Sequence, residues 1–344
     1  MIRSSQNRTD EALAAFQKAE KLDPTYADAF FNTAELLVKL KRTADAIPEY
    51  RSALSQKQGY FEAQLGLAQA LFEVGKYKEA LEAFTAAKKL KNDNWEVFAG
   101  LGETNRMLGS FNDAEANYNL ATLFLTRMKD YNKDTAADLY SKAGFVIGLQ
   151  CPLNMAKFVA CKWPTAVKNM ENAVALSNDP IDYANLGWVY YNAARMDIDN
   201  KDVAAGKAKL DLAKTALIKA IAGNATIADG SLQNLGAVQI DQGDFAGAIV
   251  SLKQIVDKRP DWSFSRYALG TAYFKVNDFD NAAKWFRAVT EKEPNYIPAL
   301  ASLGYAEIKR KKGGEVKKVI DRLRALNAAG EALKLEKEMK LAKL

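Results

Sequence analysis

The chain has 344 residues, 49% of them hydrophobic and 26% charged, with a formal net charge of +6 and no histidine. That balance belongs to a folded chain rather than a disordered one. The missing histidine removes the commonest general base, the commonest metal ligand and every Ser–His or Cys–His pairing.

No apolar stretch approaches the length a bilayer requires. The longest candidate, VALSNDPIDYANLGWVYYNAA, is broken by Asp and Pro. The N-terminus, MIRSSQNRTDEAL, shows no apolar h-region of a signal peptide. Twelve Lys/Arg against five Asp/Glu fall between Lys309 and Leu344, so the positive charge belongs to the end of the chain and the rest is close to neutral. Nucleic acid is therefore not the expected partner.

Residues 7–24, NRTDEALAAFQKAEKLDP, read as the second helix of a two-helix unit, with residues 2–6 as the last turn of its partner. On this reading residues 1–26 are half a repeat and residue 1 is not the natural start of the protein. The open face would allow weak self-association of an otherwise monomeric chain. Residues 27–135 are regular. Ala12, Ala46, Ala80 and Ala114 are evenly spaced, and Phe16, Tyr50, Phe84 and Tyr118 follow each by four. A spacing of four puts the small and the large residue on one helix face.

The register then slips twice, because the gaps from Ala114 to Ala166 and from Ala166 to Ala213 both exceed that interval. The unit at 136–179 holds an insertion near 149–163, and the connection at 127–135 (RMKDYNKDT) is lengthened as well. The unit at 180–228 holds a second insertion near 195–209. Insertions at equivalent turns of a repeat array emerge on one edge, which predicts a local shelf or lid. Cys151 and Cys161 bracket the first insertion and are the only cysteines. Their spacing fits no zinc pattern. Three readings fit the pair. One is a disulfide closing the loop, worth about 2.5–3 kcal/mol and pointing to an extracytoplasmic, periplasmic setting. Another is two buried thiols acting as small hydrophobes in a cytoplasmic protein. The third is a reactive thiol near Lys157 or Lys162. The acidic run DIDNKD lacks the Gly and Glu of a calcium loop, with Asp202 and Ala208 in those places, and reads as a solvated turn.

Regularity returns over 229–327. Leu235-Gly236, Leu269-Gly270 and Leu303-Gly304 recur at the same interval as the early alanines, as do Leu252, Phe286 and Ile320. Residues 328–344, within LNAAGEALKLEKEMKLAKL, read as an amphipathic capping helix. The basic stretch KRKKGGEVKKVIDRLR reads as a solvated terminal helix pair. No phosphate-binding loop, nucleophile elbow or complete dinucleotide fingerprint is present, so no catalytic, cofactor or metal residue is assigned.

At these residues the chain resembles the tetratricopeptide repeat family, which has two helices per repeat and an L-G, Y, A-x3-F, P pattern. The clearest copy is RYALGTAYFKVNDFDNAAKWFRAVTEKEP, with Leu269-Gly270, Tyr273, Ala282, Phe286 and Pro294. The resemblance implies an all-α fold: a solenoid of about eight antiparallel helix pairs in a right-handed superhelix, plus the cap. It also implies a binding stripe on the concave side of each first helix, where extended peptides lie.

Read onto this sequence, the stripe holds Asp28, Phe31, Glu35 and Val38, then Glu62, Leu65, Gln69 and Phe72, then Glu96, Ala99, Glu103 and Arg106. Later come Ile181, Ala184, Trp188 and Tyr191, then Phe264, Tyr267, Thr271 and Phe274, then Pro298, Ala301, Tyr305 and Ile308. The early part is acidic and the late part aromatic. Asn32, Asn185 and Asn234 resemble the asparagines with which some family members grip a peptide backbone. Asp28, Glu62 and Glu96 stand where a clamp for chaperone C-termini would need cations. The resemblance thus implies a non-catalytic scaffold for a protein or peptide partner, or else the docking region of a longer enzyme or cell-envelope machine.

Overall fold

A computed structural model describes residues 2–151, 161–224 and 226–344. Among these residues there are eighteen helices and no strand. The chain divides into two compact units, Met1–Ser177 and Asn178–Leu344. The first unit carries α1 (Ile2–Leu22), α2 (Ala27–Lys39), α3 (Thr43–Gln56), α4 (Phe61–Glu73), α5 (Tyr77–Leu90), α6 (Trp95–Met107), α7 (Phe111–Thr126), α8 (Lys133–Leu149) and α9 (Trp163–Ser177). The second carries α10 (Pro180–Asp199), α11 (Val203–Gly223), α12 (Ala228–Gln242), α13 (Phe245–Val256), α14 (Ser263–Lys275), α15 (Phe279–Lys292), α16 (Ile297–Lys309), α17 (Gly313–Ala325) and α18 (Ala329–Leu341). Within each unit every helix packs on the one before it, as expected of an all-α solenoid of stacked helix pairs. No helix among the described residues is long and apolar enough to cross a membrane.

Inside seven of the pairs the turn is one device used repeatedly. The first helix ends on a residue with positive φ: Lys41, Gly75, Gly109, Lys201, Gly243, Asn277 and Lys311. The next amide then reaches back to the carbonyl five residues earlier, as in Arg42 N to Leu37 O at 2.8 Å and Asp278 N to Tyr273 O at 2.9 Å. This closure satisfies carbonyls that the helix end would otherwise leave unpaired. The second helix often begins on an aspartate cap, with Asp244 accepting from Gly247 N and Asp278 from Asn281 N.

The repeat register survives both interruptions in the packing. Ala46, Ala80, Ala114, Ala166, Ala213, Ala248 and Ala282 are all fully buried. So are the partners four residues on: Tyr50, Phe84, Tyr118, Met170, Leu217, Leu252 and Phe286. First-helix glycines let these side chains seat against backbone. A Cβ on Gly270 would lie 2.8 Å from the Phe286 ring, and one on Gly236 would lie 2.5 Å from Leu252 Cγ.

Three local expectations change. Residues 2–6 are not a separate turn but belong to α1, which runs unbroken from Ile2 to Leu22. The second insertion forms no shelf. Helix α10 has 20 residues and α11 has 21, against 13 and 14 for α4 and α5, and the turn between them is the same closure, Asp202 N to Asp197 O at 2.8 Å. The acidic run therefore supplies a helix end and a cap, with Asp202 accepting from Ala205 N. Near residue 130 the loop itself is only 127–132, because α7 and α8 absorb the rest of the excess. The expected shelf at the first insertion falls on 152–160, outside the described residues.

One prediction tests the close packing against simple helix propensity. Gly236→Ala should destabilise by about 1–3 kcal/mol through overpacking on Leu252. Gly230→Ala, in the same helix with open space at its Cβ, should be neutral or gain up to about 1 kcal/mol. Denaturant melts of the two variants beside the parent protein measure both.

Candidate partner-binding site

The first helices of successive pairs touch one another: α2 with α4 and α4 with α6 in the first unit, and α10 with α12, α12 with α14 and α14 with α16 in the second. The second helices make no comparable contacts. In each unit the first-helix side is therefore the inner side of the stack. None of the candidate binding residues on it is sealed in the core. Glu62, Gln69 and Phe264 are exposed, while Asp28, Phe31, Asn32, Glu35, Glu96, Glu103, Asn185, Trp188, Tyr191, Asn234, Tyr267, Phe274 and Tyr305 are half-buried. Leu65, Ala301 and Ile308 depart from expectation. They are buried, because the inner side is narrow and its apolar members pack into the adjacent helices.

In the first unit a cavity of about 320 Å³ opens on the stripe. Gln69 and Phe72 of one expected group and Glu96, Ala99 and Glu103 of the next line it, together with Trp95, Asp138 and Lys142, whereas Glu62, Leu65 and Arg106 do not. It lies between α6 and α8, whose backbones stand further apart than those of α4 and α6 and which meet through side chains. Lys142 Nζ bridges Glu103 at 2.7 Å and Asp138 at 2.8 Å, and Arg106 pairs with Glu103 at 3.0 Å. Burial pushes the Glu103 carboxyl up, but Lys142 and Arg106 together hold it below the usual carboxylate range. Tyr118, wholly buried, brings its hydroxyl to the lining beside Glu103 and Arg106.

In the second unit Tyr267, Thr271, Phe274 and Tyr305 line one cavity of about 280 Å³ with Lys275, Phe286 and Ser302. The Tyr267 ring packs against Phe286 at 5.6 Å and edge-on to Tyr296 at 5.7 Å, and its hydroxyl lies 3.3 Å from Ser302 Oγ. Phe274 meets Phe279 edge-on at 5.3 Å. The walls are held by their own ring contacts, which keeps the cavity open-faced and preformed.

The remaining stripe residues are not gathered into either cavity. Phe31 stacks on Tyr60 at 5.2 Å, and Glu35 accepts the Tyr50 hydroxyl at 2.6 Å. Asp28 pairs with Lys57 and Glu62 with Lys91. Tyr191 lies beside Arg195 and Asp241, whose carboxyl is pushed up by burial against an opposing hydrogen bond from Tyr191. The Trp188 carbonyl accepts from Asn192, and both Trp188 and Asn185 have further contacts within the chain. Asn32 and Asn234 have no side-chain hydrogen bond to another described residue.

Cys151 and Cys161 are half-buried thiols, not joined in a disulfide, and hydrogen-bond neighbours. Burial and then Cys161 push the Cys151 thiol up, the opposite of an activated nucleophile. Lys162 is taken by Glu115 at 3.2 Å, and Lys157 lies outside the described residues. No group of three or more His, Cys, Asp or Glu able to hold a metal occurs among the described residues.

Asp138, Thr135 and Lys142 escaped the sequence reading, although a signal for Asp138 exists. It stands six residues before Gly144, as Glu96 stands before Gly102 and Phe264 before Gly270. The interruption between Gly144 and Ala166 hides that match. Trp95, Lys275 and Ser302 sit beside stripe positions rather than on them.

Models of the tetratricopeptide repeat match residues 3–61, 37–101 and 239–307. A curated relative, the CTR9 protein homolog of Arabidopsis thaliana, is 25% identical over 39% of this chain, and the chain spans only 13% of that relative's length. The C-terminal part of a TPR repeat-containing protein from Cytophaga hutchinsonii is similar in structure. It shares 18% identity with a TM-score of 0.54, over 79% of this chain and 99% of that one. A tetratricopeptide repeat protein from Parabacteroides merdae shares 12% identity with a TM-score of 0.48, over 81% and 98%.

The ion network at the first cavity gives a pH-dependent prediction. Lys142→Met should destabilise the protein at pH 7 by about 1–2 kcal/mol, because Glu103 loses its closest cation. The Glu103 carboxyl sits low in the parent, so its stabilising contribution is present above the ordinary carboxylate range and lost as pH falls through it. The gap between parent and variant should therefore narrow by pH 4 in paired denaturant melts.

Proposed function

We propose that this chain, which belongs to the tetratricopeptide repeat family, is a non-catalytic scaffold that holds an extended segment of a partner protein on its first-helix stripe. The observation that carries this reading is the second-unit cavity. Tyr267, Thr271, Phe274 and Tyr305, which the family resemblance puts on the stripe, line one hollow whose aromatic faces are partly open to solvent. Rigid aromatic rings in a preformed hollow are the usual anchors of a protein partner, since they offer large contact area at small entropic cost. The unengaged amides of Asn32 and Asn234 suit a peptide backbone.

A second reading makes the chain the docking region of a longer enzyme or envelope machine. It draws on the curated relative of which this chain spans only 13%. The flanking reading frame decides it.

Tyr267→Ala and Phe274→Ala should each weaken capture of a partner by about tenfold or more while leaving the helical melt cooperative. Val250→Asp, on an exposed second-helix position, should leave capture unchanged. Quantitative pull-down from the source cell with the three variants measures this. Normal capture by both aromatic variants, with loss in Val250→Asp, would reverse the assignment of the binding face.

A further inference from the structure

We propose that the first-unit cavity receives a lysine or arginine side chain of the partner segment, seated between the Glu96 carboxylate and the Trp95 ring. This rests on the scaffold reading above and gives that site its chemistry.

The argument comes from a repeated contact that fails once. Asp28 and Glu62 occupy the same register position one repeat apart, and each has its own lysine at the end of the second helix of its own pair. Lys57 Nζ lies 3.3 Å from Asp28 and 3.9 Å from the centroid of the Tyr60 ring. Lys91 Nζ lies 3.2 Å from Glu62 and 4.0 Å from the centroid of the Phe61 ring. An acid, an aromatic face and an ammonium thus form one small cluster twice over.

Glu96 is the third member of this series, and Trp95 stands where Phe61 did. The third cation is missing. The residue one repeat after Lys91 is Leu125, and it is buried. Helix α5 ends at Leu90, so Lys91 leaves the helix in an extended conformation and swings onto Glu62. Helix α7 runs on to Thr126, so its equivalent position is still helical and faces the core. Glu96 has no ion pair among the described residues.

With no lysine of its own, Glu96 opens on the cavity. Glu96 and Trp95 line it beside Phe72, with room for the stem of a long side chain. Its charged lining is Glu96, Glu103 and Asp138 against Lys142 alone, an excess of negative charge. Lys142 is already shared between Glu103 and Asp138, and Arg106 is engaged by Glu103. The buried Tyr118 borders the same space beside Glu103 and Arg106. A partner's ammonium or guanidinium would restore the cluster that the chain makes for itself in the two preceding pairs.

The test uses the whole chain and a random-peptide display library, followed by titration of a fluorescent copy of the best recovered peptide. Recovered peptides should share one Lys or Arg. Replacing it by norleucine, or making Glu96→Gln in the protein, should each weaken binding about tenfold, with little further loss when combined. Glu96→Lys should abolish the basic preference, because the chain then supplies the cation. Unchanged thermal melts of both variants separate these effects from misfolding. Peptides that depend on Tyr267 and Phe274 but share no basic residue, or an unchanged affinity in Glu96→Gln, would overturn this assignment while leaving the scaffold reading intact. Recovery of no stripe-dependent peptide would overturn both.

Discussion

Everything in this molecule depends on a close approach between a first helix and the large residue of a second one. Gly236 over Leu252 and Gly270 over Phe286 show the geometry: a side chain wholly withdrawn from water, seated against bare backbone. A pair of helices of this length cannot bury enough apolar surface to stand alone. The seat must therefore recur, and its recurrence fixes the length of the repeat. Chemistry at that position is free to vary from Tyr to Met to Leu as long as the volume is filled.

The same constraint explains how the chain absorbs extra residues. Between Ala166 and Ala213 the added length goes into α10 and α11, and the tight closure between them is kept. Lengthening a helix adds one backbone hydrogen bond per residue, whereas a loop of equal length leaves its amides to water. The run from Asp197 to Lys209 offers helix formers and a single helix-ending turn at Lys201, so it continues the pair rather than leaving it. Between α6 and α8 the backbones stand further apart, a hollow opens, and the two inner helices meet across it through the Lys142–Glu103 ion pair.

Much of this was legible in the sequence. The alanines and their large partners named the core directly, because burial at fixed spacing leaves a periodic trace. The stripe residues that share a cavity, such as Tyr267 with Tyr305, followed from the same period. Asp138 did not, since the interruption before Ala166 cut the register that would have found it. The acidity of the early stripe was overstated for a different reason. Sequence shows charges but not their partners, and Asp28, Glu62 and Glu103 all turn out to be paired within the chain. Asp28 is held below the ordinary carboxylate range by Tyr60 first and Lys57 second, which marks a committed group.

On the proposed reading, that difference between present and available charge gives the inner face its selectivity. A carboxylate with its own lysine gains little from a second cation, because the newcomer must compete with a tethered one. An unpaired carboxylate beside an aromatic wall gains the full interaction in a site partly shielded from water. Repetition supplies many equivalent positions, and the intramolecular cations silence most of them. In the second unit the equivalent register places carry Ile181, Gly230, Phe264 and Pro298, so no acid is there to be silenced and the proposed binding face is aromatic. Specificity in such an array is set less by which residues face inward than by which of them the chain has left without a partner of its own.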